Sequence, residues 1–511
     1  MSPVPTVSPS GTVRDWLDRW ARDKPDQVSH LFADGSDEMT WSMLRDEAKE
    51  IATRLSGLGI EKGESVALCL PNGKPAIVCL FGALYGGFQA TPLNLGAGPD
   101  AMAYAVNHSR ARFVLCGINQ LDLLNGALAG HPADIAVLTV KQDGVSWPGD
   151  GREAGLGDIN DLDPALLMYT SGTTGQPKGV VHTHSSLLAG GWTTVMAHRL
   201  SPQDRALCVL PYFHINGLCV TLMGPLVSGG SVIVVEKFSA RRFWDQCEHF
   251  EATWFSVVPT IISHLLHGEA MPSKAVVERL RFARSASSAL APEVQSAFQE
   301  RFGIPVIETM GLTETAAQIL SNPLPPGLRK TGSPGIAVGN EVSIITADGI
   351  GSAGEEGEVA VRGPNVMLEY FDNPGATAET FTANGWLLTG DLGYMDEDGY
   401  VFITGRRKEL IIKGGENIAP REIDDALHCH PDVIEAAAFP RDCPIYGQRV
   451  EAAVTLKPGS KVSKEELLTI CRDRLGSFKC PDTIHFIDEL PKGPSGKIQR
   501  LKLTTLSPDK H

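Results

Sequence analysis

The sequence predicts an α/β fold of largely parallel sheets covered by helices on both faces, followed by a β-barrel-like subdomain and a small α+β domain at the C-terminal end. Three observations lead there. Short continuous runs of Val, Ile and Leu alternate with helical apolar patterns as far as about Gly332, the signature of strands buried on both faces. Beyond Gly332 the texture turns to Gly-rich alternating segments, as an antiparallel or barrel-like unit requires. The C-terminal stretch then carries strands and helices of its own, and 511 residues are too many for one compact core.

The first clear element runs from Thr40, with Leu44, Ala48, Ile51, Leu55 and Leu58 at helical spacing and Gly59 placed to stop it. Ser65 to Leu70 reads as a strand ending at Pro71-Asn72-Gly73, and Val78 to Tyr85 as part of the next helix. Further strands are expected at Arg112 to Cys116, Ile135 to Val140, Ala206 to Leu210, Ser231 to Val235 and Trp254 to Val258. In the Gly-rich region the alternating segments are Glu341 to Ile345, Gly357 to Arg362 and Gly399 to Thr404.

A formal charge of -15 with no long Lys/Arg run excludes a basic face for nucleic acid or an anionic membrane. The ten cysteines, scattered from Cys69 to Cys480, form no CxxC pair and read as reduced, buried thiols. Met1 to Thr12 lacks the pattern of a signal peptide. The most apolar region, Leu207 to Val235, is interrupted by Pro211, His214, Asn216, Pro225 and a Gly pair, which a membrane span would not tolerate. A cytoplasmic enzyme is the expectation.

The strongest local signal is Leu167 to Gly179, LMYTSGTTGQPKG. Gly172, Gly175 and Gly179 let the backbone turn its N–H groups toward an anion, while Thr170, Ser171, Thr173 and Thr174 add hydroxyl donors and Lys178 a positive charge. Such a segment is a phosphate cradle, and it lacks the Gly-Lys-Ser/Thr ending of the Walker loop.

Tyr169 to Gly179 resembles the signature loop of the acyl-adenylate-forming superfamily, which includes acid–CoA ligases, luciferases and peptide-synthetase adenylation domains. Leu210 to Gly217, Gly311-Leu312-Thr313-Glu314, Leu388 to Asp391, Gly405 to Lys408 and Gly496-Lys497 are similar to its later motifs and follow in the same order. The resemblance implies two parallel-type sheets plus the barrel-like subdomain in residues 1–404, a hinge at 405–408 with Lys408 at its pivot, and a mobile domain in 409–511. It implies ATP, Mg2+ and coenzyme A as cofactors, with a small carboxylic acid as substrate, and a homodimer among the possible assemblies. Glu314, with Thr170, would hold Mg2+ against the phosphates, oxygen ligands suiting that hard cation. Thr313 belongs to the same turn. Asp391 would accept from the ribose hydroxyls and Arg406 donate beside it. Lys497 would stabilise charge developing at the α-phosphate. Gly414 and Gly415 would let pantetheine approach the backbone, and Lys479 would contact a CoA phosphate. Relatives carry an aromatic residue where this chain has Met310, placed to cover adenine through its sulfur. Glu308 would accept from the adenine amino group.

For the acid, the resemblance places His214 beside the acyl group, with Trp192, Asn216, Ser285 and Ser287 as pocket candidates. Arg284 to Leu290 is hydroxyl-rich and, with Ser321 to Pro326, looks like the branch containing oxalate–CoA ligases. A short acid with a second polar or anionic group follows, such as oxalate, malonate or sulfoacetate, because buried hydroxyls need partners that a fatty chain lacks. Two other readings remain open at this stage: an enzyme that loads a carrier protein's pantetheine, and a nucleotide sensor without chemistry, which would have no need of Lys497.

Overall fold

The computed structural model describes residues 7–130, 135–149, 151–170, 177–493 and 498–506. The expected helix at Thr40 is Trp41–Gly57, with the Thr40 hydroxyl accepting from the Met43 N–H as its N-cap and Leu44, Ala48, Ile51 and Leu55 buried. It packs on the helix Lys74–Gly86, whose apolar residues are buried on all sides between that neighbour and a sheet.

The described strands form four sheets. One, of eight strands, has a parallel core made by Ser65–Cys69, Gln89–Pro92, Phe113–Gly117, Ala136–Lys141 and Pro164–Thr170. At its edge Pro164–Thr170 turns back as Lys178–Thr183, antiparallel, and Glu369–Tyr370 caps that strand. The second sheet has nine strands, with Val28–Phe32, Ser231–Val234, Arg205–Cys208, Trp254–Val257, Phe282–Ser285 and Val306–Leu312 in parallel order. Antiparallel strands close both ends, Ala317–Ser321 and Ile336–Ala337 on one side and Met39–Thr40 on the other. The parallel strands are near-continuously apolar because helices cover both faces.

The third sheet is antiparallel, in the order Gly349–Ile350, Glu341–Thr346, Gly357–Arg362, Leu387–Met395, Val401–Arg406, and its path is open. The fourth is built by Glu416–Ile418, Ile411–Lys413, Gly447–Leu456, Val433–Cys443 and Thr483–Phe486, with helices Pro420–Leu427 and Lys464–Lys479 over its core. Arg421 ties this unit to the larger body through its guanidinium, which donates to the Ile403 carbonyl (2.8 Å) and the Gly332 carbonyl (3.2 Å). The Ser263 hydroxyl donates to the Ile434 carbonyl (3.0 Å). Among the described residues no helix is long and apolar enough to cross a membrane.

Candidate active site

Ligands of open parallel sheets bind beyond the carboxyl ends of the strands, and a cavity of roughly 270 Å3 lies there. Its walls include Ser287 and Leu290, which follow the strand Phe282–Ser285, and Glu308 with Met310 and Gly311 from the next strand. Asp391 and Arg406 come from paired strands of the third sheet, and Asp424 with Arg500 comes from the C-terminal unit. Three of the four sheets thus contribute to one site.

Two charged pairs frame it. Arg406 Nε donates to Asp391 Oδ1 at 2.9 Å, and the Asp391 carboxylate holds the guanidinium pKa above its ordinary value. Arg500 Nη2 meets Asp424 Oδ2 at 2.7 Å, although burial still raises that carboxyl. Glu308 is buried; its Oε1 accepts from the Leu290 N–H (3.1 Å), its Oε2 has no partner, and burial raises its pKa. Both Glu308 and Met310 stand in the cavity wall.

Glu314 lies in a short 3-10 turn, Thr313–Thr315, that reverses Val306–Leu312 into Ala317–Ser321. Gly311 is obligatory here, since a Cβ would sit 1.4 Å from the Ala317 carbonyl oxygen. Ala316 and Ala317 are left-handed, at φ 44° and 80°, and bend the returning strand into this close approach. Two residues unmarked by the sequence hold the turn. Tyr370 donates its hydroxyl to Glu314 Oε1 (2.7 Å), while the Lys178 ammonium lies 4.4 Å from the same ring. His182 Nε2 meets the Thr313 carbonyl at 2.6 Å, so that nitrogen carries the proton, and burial lowers this imidazole to about 4. Tyr370 carries no local signal, being far in sequence from both groups it touches. His182 sits in the strand that leaves the phosphate loop, the one cue available. The Thr170 hydroxyl donates back to the backbone carbonyl of Lys178 at 3.4 Å, and the Lys178 ammonium shares Tyr370 with Glu314.

Other expected residues fall elsewhere. Ser171, Gly172, Thr173, Thr174, Gly175 and Lys497 lie outside the described residues. Trp192 is not in the cavity wall: it is buried on the helix His184–His198 against Gly339, where a Cβ would stand 2.7 Å from the indole. Ser285 is turned from the Asn216 side by strand alternation and its hydroxyl is buried with no partner. His214 sits edge-on to Phe213 and is not part of the wall, whereas Asn216 Nδ2 donates to Ser287 Oγ at 3.1 Å, within reach of it. Gly414 and Gly415, at φ 62° and 89°, form the two-residue turn of an exposed hairpin outside the cavity. Lys479 is paired with Glu422 and is likewise outside it. Lys408 is exposed in the turn after Val401–Arg406.

A cavity walled by two units, with an acceptor-only carboxylate beside an arginine, accords with the class of nucleotide-dependent acid-activating enzymes. The chain belongs to the AMP-binding enzyme family, which it matches over residues 17–371, with the family's C-terminal domain matched over residues 422–497. It is an ATP-dependent, AMP-forming acid–thiol ligase that uses Mg2+ and coenzyme A. It is 44% identical to the sulfoacetate–CoA ligase of Cupriavidus necator over 94% of each chain. Identity to the oxalate–CoA ligase of Arabidopsis thaliana is 34%, over 96% of this chain and 98% of the relative. Among solved structures, the o-succinylbenzoate coenzyme A synthetase of Bacillus subtilis in complex with ATP and magnesium ion superposes with a TM-score of 0.82 at 29% identity, covering 96% of this chain and 98% of that one.

The residues present suit Mg2+. Glu314 Oε1 is occupied by the Tyr370 hydroxyl, and Oε2 has no protein donor among the described residues. No cluster of three or more His, Cys, Asp or Glu able to hold a metal exists among the described residues. One carboxylate and a hydroxyl, completed by phosphate oxygens, match how this ion is bound beside nucleotides.

Proposed function

We propose that this enzyme joins coenzyme A to a short acid carrying a second anionic group, with sulfoacetate, oxalate and malonate as the class. The observation that carries the reading is the polar set Asn216, Ser256 and Ser287 beside the cavity, where a fatty-acid ligase needs apolar walls. The names of the two relatives point the same way.

In this reading Asp391 accepts from the ribose hydroxyls and Arg406 fixes that carboxylate. Met310 covers the adenine face, and Glu308 faces its amino group. Mg2+, held by Glu314 and Thr170, would draw charge from the phosphates. Lys178 and Lys497 donate to phosphate oxygens as the acid carboxylate attacks the α-phosphate and pyrophosphate leaves. Residues 409–511 then turn about Lys408 so that the Gly414-Gly415 hairpin replaces Lys497 at the site, and the CoA thiol displaces AMP. Lys479 would meet a CoA phosphate after that movement. The proposed setting is the cytoplasm and the proposed assembly a homodimer, which light scattering on the purified protein checks.

The test is mass-spectrometric detection of thioesters after incubation with MgATP, coenzyme A and a panel of oxalate, malonate, sulfoacetate, acetate and hexanoate. Thioester from a small dianion, and little from hexanoate, is the expected result. Faster turnover of hexanoate than of every dianion sinks the substrate reading. Accumulation of AMP and pyrophosphate without thioester would favour transfer to a carrier protein.

A further inference from the structure

Arg284 lies on the strand Phe282–Ser285 and is only 1% exposed. Its Nη1 donates to Asn216 Oδ1 at 2.8 Å and to Ser256 Oγ at 2.9 Å, and its Nε donates to Gln318 Oε1 at 3.2 Å. All three partners are neutral and buried. No Asp or Glu forms an ion pair with Arg284 among the described residues, and its side-chain hydrogen bonds there are made by Nε and Nη1, leaving the Nη2 edge outside them. The surroundings do not share its charge either. His198, bonded to the same Gln318 oxygen at 3.2 Å, is held neutral by burial and by Arg284 itself. Burial lowers the guanidinium to about 9, which leaves it cationic at neutral pH.

An isolated buried cation is costly unless paired. A route from this one to the cavity exists through a single polar layer, because Asn216 bridges Arg284 and Ser287, and Ser287 lines the cavity wall. Ser287 itself is held left-handed at φ 77°, a conformation that places its hydroxyl on Asn216 at the expense of backbone strain. The reacting carboxylate must stand instead near the phosphate-binding group of Lys178, Tyr370 and Glu314, with which Arg284 shares no hydrogen bond.

We infer that Arg284 is the specificity-determining counter-ion for the far end of the acid, pairing through its Nη2 edge with the second anionic group, a sulfonate or carboxylate, while Asn216 and Ser287 set the distance between the two ends. The inference rests on the proposed reading of this pocket as the acid site. A planar fork suits either group, so selection among dianions follows from length, and selection against neutral-tailed acids follows from the buried charge.

The test is calorimetric binding of sulfoacetate, malonate and propionate to the wild type and to Arg284→Gln and Arg284→Lys, each saturated with a non-hydrolysable ATP analogue whose own binding confirms folding. Removing one partner of a buried charge pair predicts a loss of about 100-fold in the dianion-to-propionate affinity ratio for Arg284→Gln. Arg284→Lys recovers part of that ratio, since it keeps the charge without the fork. An unchanged ratio, an equal loss for propionate, or a wild type that binds no dianion overturns the inference. Dianion binding that depends on Arg284 but yields no thioester supports it and sinks the ligase reading of substrate choice instead.

Discussion

At the scale of single residues, the site depends on side chains that orient other side chains. Glu314 is fixed by the Tyr370 hydroxyl, and Lys178 by the face of the same ring. A hydrogen bond to a charged group contributes about 1.5 to 3 kcal/mol. Tyr370→Phe keeps the ring beneath Lys178 and frees Glu314, so ATP–pyrophosphate exchange should slow by about 10- to 100-fold with ATP affinity little changed. An exchange rate equal to the wild type would show that Tyr370 serves packing alone. Arg284 is the other residue of this kind, and its neighbours make it invisible in a sequence: nothing in a run of small polar residues says that a guanidinium there lacks an acid partner.

Among the elements, the turn from Val306–Leu312 into Ala317–Ser321 is the most constrained near the site. A register shift between Met310 and Gly311, two left-handed alanines and the near-contact at Gly311 all fall within it. Gly311→Ala cannot be relieved by a side-chain movement because the obstructing atom is a carbonyl oxygen. It should lower stability by about 3 kcal/mol or more, or force Glu314 out of place. Calorimetric Tm together with exchange activity distinguishes these outcomes, and a variant unchanged in both would contradict the account of the turn. Elements of this chain were legible where one local rule sufficed. Helical spacing located Trp41–Gly57, apolar runs located Ser65–Cys69 and Trp254–Val257, and alternation in the Gly-rich region located Gly357–Arg362, each within about two residues. Asp391, Arg406 and Met310, singled out by motifs, line the cavity. Trp192 and Ser285 fall outside the cavity wall because a motif names a position along the chain, while strand alternation and helix packing decide which way a side chain faces.

For the whole molecule, buried histidines set the acid limit of stability. Burial lowers His30 to about 3, His182, His184, His267 and His428 to about 4, and His198 well below its ordinary value. The unfolded chain therefore binds more protons at these residues between about pH 4 and the ordinary 6.5. Their contribution is fully present above 6.5 and is lost as pH falls through that window. Burial also raises Asp425 to about 7 and raises Asp424 and Glu308, and these carboxyls act with the opposite sign over much of the same range. The histidines outnumber them, so Tm should fall between about pH 6.5 and pH 4.5, at about 1.4 kcal/mol per pH unit for each net proton. A Tm that holds level or climbs on acidification would refute this balance.

The cavity has walls from the large body and from the C-terminal unit, and Arg406 and Glu409, on either side of the exposed Arg407 and Lys408, line it. Such a site is a seam, and whatever fills it works as mortar: binding energy spent there fastens one block of the protein to the other. ATP should therefore protect the bond after Lys408 from trypsin at concentrations that track its affinity, and a fatty-acid ligand without nucleotide should not. Release of AMP then has a mechanical meaning, since its departure would let the two blocks part for the next round.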